Sequence, residues 1–310
     1  MSRLRPLVLA AGVLLAAGCG GTGPAPDPTA SAPTSPATTS SAAPSAPAPA
    51  ALAGVADLEA AHGARVGAWV LDTGTGQVLE HRAEERFAHA SVLKLLLVGL
   101  VLDRVTDAEL DAVVPIEADD VLEYAPVTSE HVGTGLPLRE VMEAAIVVSD
   151  NTAANLLIER LGGPAAVQAA VRELGNEVTD VDRTEPDLNE ATPGDPRDTS
   201  TPAALGASIE QLVLGDVLPA DRRALLEQGL RDNTTGDAAI RAGVPADWTV
   251  GDKTGSGGYG TRNDAGVVWP ADGGAPLVVV LLTDRGTAGA TSDDGLLADV
   301  TRLVVAQSGR

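Results

Sequence analysis

The sequence predicts an α/β (α+β) fold: an antiparallel five-stranded sheet flanked by helices, with an inserted all-helical lobe. Strand-like runs lie near both ends of the region from Ala51 onward, and the stretch between them, residues 91–235, reads mostly as helix. The final segment, 293–307, places Leu296, Leu297, Val300, Leu303 and Val304 at helical spacing. Early and late strands that share one sheet around inserted helices are the natural way to bury all of these faces.

The elements follow in order. Residues 65–71 (RVGAWVL) and 77–82 (QVLEHR), separated by the turn-rich segment 72–76 (DTGTG), form a hairpin. Helices are expected over 91–105, 138–148, 150–161 and 203–214. Three further strands, 248–253, 264–269 and 277–282, complete the sheet before the closing helix. This divides the folded domain, 51–310, into an α/β lobe (51–85 and 240–310) and a helical lobe (86–239).

Ahead of this domain, Arg3 and Arg5 precede an apolar run from Leu7 to Leu15 and the small residues Ala16, Ala17 and Gly18. Residues 1–18 read as an export signal, too short to span a membrane. Small residues directly before Cys19 resemble a bacterial lipoprotein processing site, although Ala16 stands where Leu is commonest. Either an outward-facing membrane lipoprotein lipidated at Cys19 or a secreted or periplasmic protein is expected. Residues 19–50, almost only Ala, Pro, Ser, Thr and Gly, read as a disordered tether.

Composition removes several functions. A net charge of −22 speaks against nucleic acid and against electrostatic binding to anionic lipid, so a membrane is reached only through the anchor. Cys19 is the one cysteine, which excludes an intramolecular disulfide, a cysteine nucleophile in the folded region and a Cys-based zinc site. His62, His81, His89 and His131 lack metal-ligand spacing, and neither metal nor cofactor is expected. Among 21 basic residues only Lys94 and Lys253 are lysines. A lysine amine can lose its proton and an arginine effectively cannot, so these two are candidates for chemistry.

Lys94 lies three residues after Ser91 at the start of an apolar helical run, which puts amine and hydroxyl on one face. A serine needs such a neighbouring base to become a nucleophile. The plainer reading is a capping serine and a surface lysine. Lys253 is followed by Thr254, Gly255 and Ser256, where absent side chains would let a ligand approach a strand edge; a solvated loop is the alternative. Ser149, Asp150 and Asn151 sit at a junction of helical runs, where an N-cap cluster is the plainer reading.

In this order the three elements, S-x-x-K, S-D-N and K-T-G, resemble the class A serine β-lactamases, over nearly everything from Leu52 onward. A fourth segment, Asp182 to Asp198 containing Glu185-Pro-Asp-Leu-Asn189, is similar to that family's Ω loop, which related transpeptidases usually lack. The resemblance implies an active site between the lobes, β-lactam antibiotics as substrates, antibiotic resistance as the outcome, and a monomer. It implies that Ser91 forms the acyl-enzyme, with Lys94 and Glu185 as the two candidate bases for acylation. Glu185 would activate the deacylating water, and Ser149 would pass a proton to the lactam nitrogen.

The same resemblance makes Lys253, Thr254, Ser256 and Arg262 the holders of the substrate carboxylate, with Gly255 beside them, although Arg262 could equally be a surface charge. Backbone N–H groups of Ser91 and Ser256 would form the oxyanion hole. Asn151 and Asn189 match contacts to the substrate side chain and to the water. Tyr124 matches the wall at the cleft mouth, or is simply core. Arg183 and Asp198 match the ion pair that pins the loop. The chain departs from the family at Val92, where a hydroxyl is usual, and at His89; Val98 and Met142 stand where some relatives have a disulfide. A D,D-peptidase or penicillin-binding protein, and an inactive envelope-tethered binding lipoprotein of the same fold, remain as alternatives at this point.

Overall fold

The computed structural model describes residues 21, 23 and 47–309. The expected export segment, Cys19 and nearly all of the tether lie outside the described residues. The strands, in chain order, are β1 (Ala50–Ala51), β2 (Arg65–Asp72), β3 (Val78–His81), β4 (Phe87–Ala88), β5 (Val113–Val114), β6 (Leu136–Pro137), β7 (Thr199–Ser200), β8 (Thr249–Ser256), β9 (Arg262–Trp269) and β10 (Leu277–Asp284). The main sheet has the order β1-β3-β2-β10-β9-β8. Its antiparallel strands β2, β3, β8, β9 and β10 are the five expected from the sequence. The sixth, β1, differs: two alanines at the last residues of the tether and the first of the domain pair parallel with Leu79 and Glu80. They pair by backbone alone, so neither periodicity nor β-propensity marks them.

β10 (LVVVLLTD) reads as an unbroken apolar run because both of its faces are covered, and Leu277 to Thr283 are all buried. One face meets α1 (Val55–His62) and α10 (Asp294–Gln307) around Leu281, Leu296 and Val300. The other face, through Val278, Val280 and Leu282, continues into the helical core. At the centre of that core is α2 (Leu93–Arg104), in which every residue from Leu93 to Leu102 is buried. The expected helix 91–105 therefore begins later, after a 3₁₀ turn at Ala90–Val92.

The next helices are α3 (Asp107–Leu110), α4 (Leu138–Val147), α5 (Asn151–Leu161) and α6 (Pro164–Glu173). They are followed by α7 (Pro202–Ile209), α8 (Ala220–Arg231) and α9 (Ile240–Gly243). The expected helix 203–214 is α7, capped by the Thr201 side chain, running into a π-helical turn at Glu210–Leu214. α7 fits against the sheet only because residue 206 is glycine: a Cβ there would stand 2.1 Å from the Trp69 ring of β2.

Candidate active site

The nucleophile candidate is set by tertiary contacts more than by local propensity. β4 pairs with β7, which brings the segment before Ser91 beside the end of the Asp182–Asp198 loop. Ala90, fully buried, adopts φ 46°, a left-handed conformation that costs a non-glycine residue energy and must be held by its surroundings. The chain then turns through Ala90–Val92 into α2, leaving Ser91 at the foot of that helix. His89 is a buried structural residue: its ring nitrogens lie 3.2 Å from the Ala90 carbonyl and 3.0 Å from the Asp180 carbonyl.

Lys94 is not a surface lysine. Its side chain is 1% exposed and its amine donates to the Ser149 carbonyl (2.8 Å), Ser149 Oγ (3.2 Å) and Asn151 Oδ1 (2.6 Å), while pairing with Glu185 Oε1 at 3.0 Å. Burial holds its pKa below the usual lysine range, opposed by the charges of Glu185 and Asp150. Ser91 Oγ donates to the same Glu185 Oε1 over 3.4 Å, a long contact for O–H···O.

The Ser149–Asn151 motif combines a helix cap with contacts to Lys94. Asp150 is the N-cap of α5, accepting from Ala153 N (2.9 Å), and its carboxylate also accepts from Val127 N, Thr128 N and Thr128 Oγ1. Ser149, at φ 60°, and Asn151 meanwhile turn to Lys94.

Glu185 is held at both ends. Its backbone N–H donates to Asn155 Oδ1 (2.8 Å) and its carbonyl accepts from Asn155 Nδ2 (2.9 Å); Asn189 Nδ2 donates to Oε2. Arg183 Nε meets Asp198 Oδ2 at 2.6 Å, and Asp198 Oδ1 accepts the N–H groups of Asp182 and Arg183, so the loop is closed at its base. The sequence did not single out Asn155. Its signal is an asparagine inside a helix, one turn after Asn151, where its propensity is poor and only a tertiary partner justifies it.

The opposite wall is the edge strand β8. Lys253 is fully buried and donates to its neighbour's carbonyl, Thr254 O, at 2.9 Å. Burial, followed by the charge of Lys94, pushes its pKa down to about 7, against the pull of Asp264 and Asp252. A Cβ at Gly255 would stand 3.0 Å from the His89 carbonyl and 3.2 Å from the backbone nitrogens of Ser91 and Val92, so the strand lies directly on the Ser91 turn. Thr254 Oγ1 shares a 2.5 Å hydrogen bond with Thr235 Oγ1.

Arg262 is not a free surface charge. Its side chain is 12% exposed, Nη1 donates to Ser256 Oγ (2.9 Å), Nη2 to the Thr235 carbonyl (3.1 Å) and Nε to Asp294 Oδ1 (2.7 Å). Tyr124 is half-exposed and donates to the Val148 carbonyl, which places it at the surface and not in the core.

Behind this wall lie two acids that sequence reasoning missed. Asp252 Oδ1 accepts from Asn233 and Arg241, and Asp264 Oδ2 accepts the Ile240 N–H. Burial, followed by the Asp252 charge, drives the Asp264 carboxyl well above the usual carboxylate range.

A cleft of about 330 Å³ opens between the two walls, lined by Ser91, Tyr124, Ser149, Asn151, Asn189, Thr235, Thr254, Ser256 and Arg262. Lys94, Glu185 and Lys253 stand behind that lining. A larger cavity, about 470 Å³ beneath residues 191–196, holds none of the candidate catalytic side chains. Only Thr235 is a lining residue that the sequence did not suggest; within a run of polar residues after α8 it reads as an ordinary turn.

A model described as the beta-lactamase enzyme family matches residues 51–307. The chain is 52% identical over 252 residues to a beta-lactamase of Amycolatopsis lactamdurans, covering 81% of this chain and 83% of that one. Among solved structures, a beta-lactamase from Desulfarculus baarsii superposes with TM-score 0.81 at 43% identity, covering 83% of this chain and 96% of that chain. A class A beta-lactamase reconstructed as the last common ancestor of Gram-negative bacteria gives TM-score 0.78 at 50% identity, covering 81% and 97%.

Proposed function

This chain belongs to the class A serine β-lactamases and hydrolyses β-lactams, and on that premise we propose how its residues divide the reaction. Ser91 Oγ attacks the lactam carbonyl while its proton passes to the Lys94–Glu185 pair, taken by the Lys94 amine or by Glu185 through a bound water. The oxyanion forms against the N–H groups of Ser91 and Ser256. Collapse breaks the C–N bond, and Ser149 relays a proton to the departing nitrogen, leaving an ester on Ser91. Glu185 then takes a proton from a water that attacks this ester, and the serine hydroxyl is regenerated.

The observation that carries the reading is Glu185 Oε1, 3.0 Å from the Lys94 amine and 3.4 Å from Ser91 Oγ. One carboxylate thus touches both the candidate nucleophile and the candidate base. In a buried site such a group is worth more than in water. Lys253, Thr254, Ser256 and Arg262 hold the substrate carboxylate, with Gly255 leaving room beside them. Asn151 and Asn189 face the substrate amide and the hydrolytic water, Tyr124 forms the mouth, and Arg183 with Asp198 keeps the Glu185 loop closed. A D,D-peptidase has no use for that carboxylate, and an inactive binding protein has no use for the arrangement at all.

We further propose that residues 1–18 direct export, that Cys19 carries a lipid anchor, and that a monomeric domain of two lobes works outside the cytoplasm. A fluorescent penicillin trapped by acid quench is expected to label wild type on the peptide containing Ser91 and to leave Ser91→Ala unlabelled; labelling at any other residue contradicts the assignment. For the anchor, Cys19→Ser is expected to move the protein from the membrane fraction to the soluble one.

A further inference from the structure

Asn263 takes no part in the roles above, yet it is fully buried in β9 and satisfied at both ends of its amide. Its Nδ2 donates to the Ala88 carbonyl at 2.8 Å and to the His89 carbonyl at 3.2 Å, and its Oδ1 accepts the Thr283 N–H of β10 at 3.0 Å. The two carbonyls belong to the residues immediately before Ala90, the buried left-handed residue that launches the Ser91 turn. In the sheet, Asn263 stands directly opposite Gly255. This single cross-strand pair therefore meets the nucleophile turn twice. Gly255 lets the turn lie so close that a Cβ there would stand 3.0 Å from the His89 carbonyl, and Asn263 holds the turn by its carbonyls.

We infer that Asn263 is a positioning residue for the oxyanion hole: by clamping the Ala88–His89 carbonyls to the sheet, it fixes the Ser91 N–H relative to the Ser256 N–H. The inference rests on the proposed role of Ser91. Two donors serve a developing oxyanion only if both point at one place, and a misplacement of about 1 Å can cost about 10²-fold in rate. The turn cannot hold itself, because Ala90 is in a conformation its own backbone disfavours. Loss of the clamp has a signature unlike that of the other residues. An oxyanion forms in both acylation and deacylation, so both steps slow together, whereas a change at Glu185 acts mainly on deacylation and one at Lys253 on binding.

The test compares wild type with Asn263→Ala and, as a second variant, Gly255→Ala, whose added Cβ pushes on the same turn from the strand side. Single-turnover acylation, deacylation of the isolated acyl-enzyme, and inhibition by an arylboronic acid, which forms a tetrahedral adduct on the serine, are measured for each. For Asn263→Ala both rates are expected to fall roughly 10–100-fold and the boronic acid to weaken by a similar factor, with substrate Kd changing less than about threefold. Gly255→Ala is expected to show the same coupled loss of both rates and of boronic acid affinity, so it decides the matter if the alanine at 263 prevents folding. A lowered Tm with both rates and boronic acid affinity retained overturns the inference, as does slowing of one step alone. If wild type is not acylated at Ser91, it is the underlying functional reading that fails.

Discussion

The two walls of the cleft are built in different ways. On the side proposed to handle protons, Lys94 comes from α2, Ser149 from the α4–α5 junction and Glu185 from an irregular loop, and they meet only through side-chain bonds between distant segments. On the side proposed to hold the substrate anion, Lys253 to Ser256 and Arg262 belong to two adjacent strands whose register, Ser256 opposite Arg262, places them without further help. A sheet ladder survives the loss of a single side chain; a constellation held by side chains alone does not. The first wall should therefore be brittle and the second tolerant.

The largest effect is expected at the brittle wall. Glu185→Ala removes the carboxylate proposed to activate the hydrolytic water, and deacylation should slow about 10³–10⁴-fold, with a stable adduct in intact-mass spectra. A burst followed by normal turnover would remove Glu185 from that step.

Asn155→Ala comes next. It leaves the buried N–H and carbonyl of Glu185 without partners, which costs about 1–3 kcal/mol. The loss should fall on the loop, seen as faster hydrogen exchange over residues 183–190, with kcat reduced and KM little changed.

On the tolerant wall the effects are smaller and concern binding. Burial brings Lys253 to a pKa of about 7, and the proposed grip on the substrate carboxylate needs the protonated amine. Accordingly kcat/KM, which reports the free enzyme, should decline as pH rises through about 7, with the change in KM and not in kcat. Lys253→Arg, always charged, should abolish that limb; a limb that persists in the variant belongs to another group.

The smallest change is Asp294→Asn. Asp294 ties up Arg262 from the first turn of α10, and removing its charge should free the guanidinium for the substrate and lower KM about two- to fivefold. A raised KM would mean that Asp294 orients Arg262 more than it neutralises it.

The same contrast explains what could be read in the sequence. The short-range spacings, Ser91 to Lys94 and Lys253 to Ser256, were legible because a helix face or strand edge converts them directly into geometry. The sheet was legible from its apolar runs. Asn155, Asn263 and Asp264 were not, because each is one polar residue in an ordinary element whose partner lies far along the chain: Asn155 reaches Glu185, and Asn263 reaches Ala88. Ala90 gave no sign of its left-handed conformation, since alanine has no preference for it and the surrounding fold imposes it. Tyr124 and Arg262 each had two readings that only burial could separate.

The difference between the walls is tested most directly by replacing each lysine with arginine and measuring the acylation rate against substrate concentration. A guanidinium does not give up its proton, so Lys94→Arg should lower the rate at saturation by about 10²–10⁴-fold with little change in Kd. Lys253→Arg should keep that rate within about tenfold and instead raise Kd, because it preserves a cation at the strand edge. Equal losses of the saturated rate in the two variants would contradict the account.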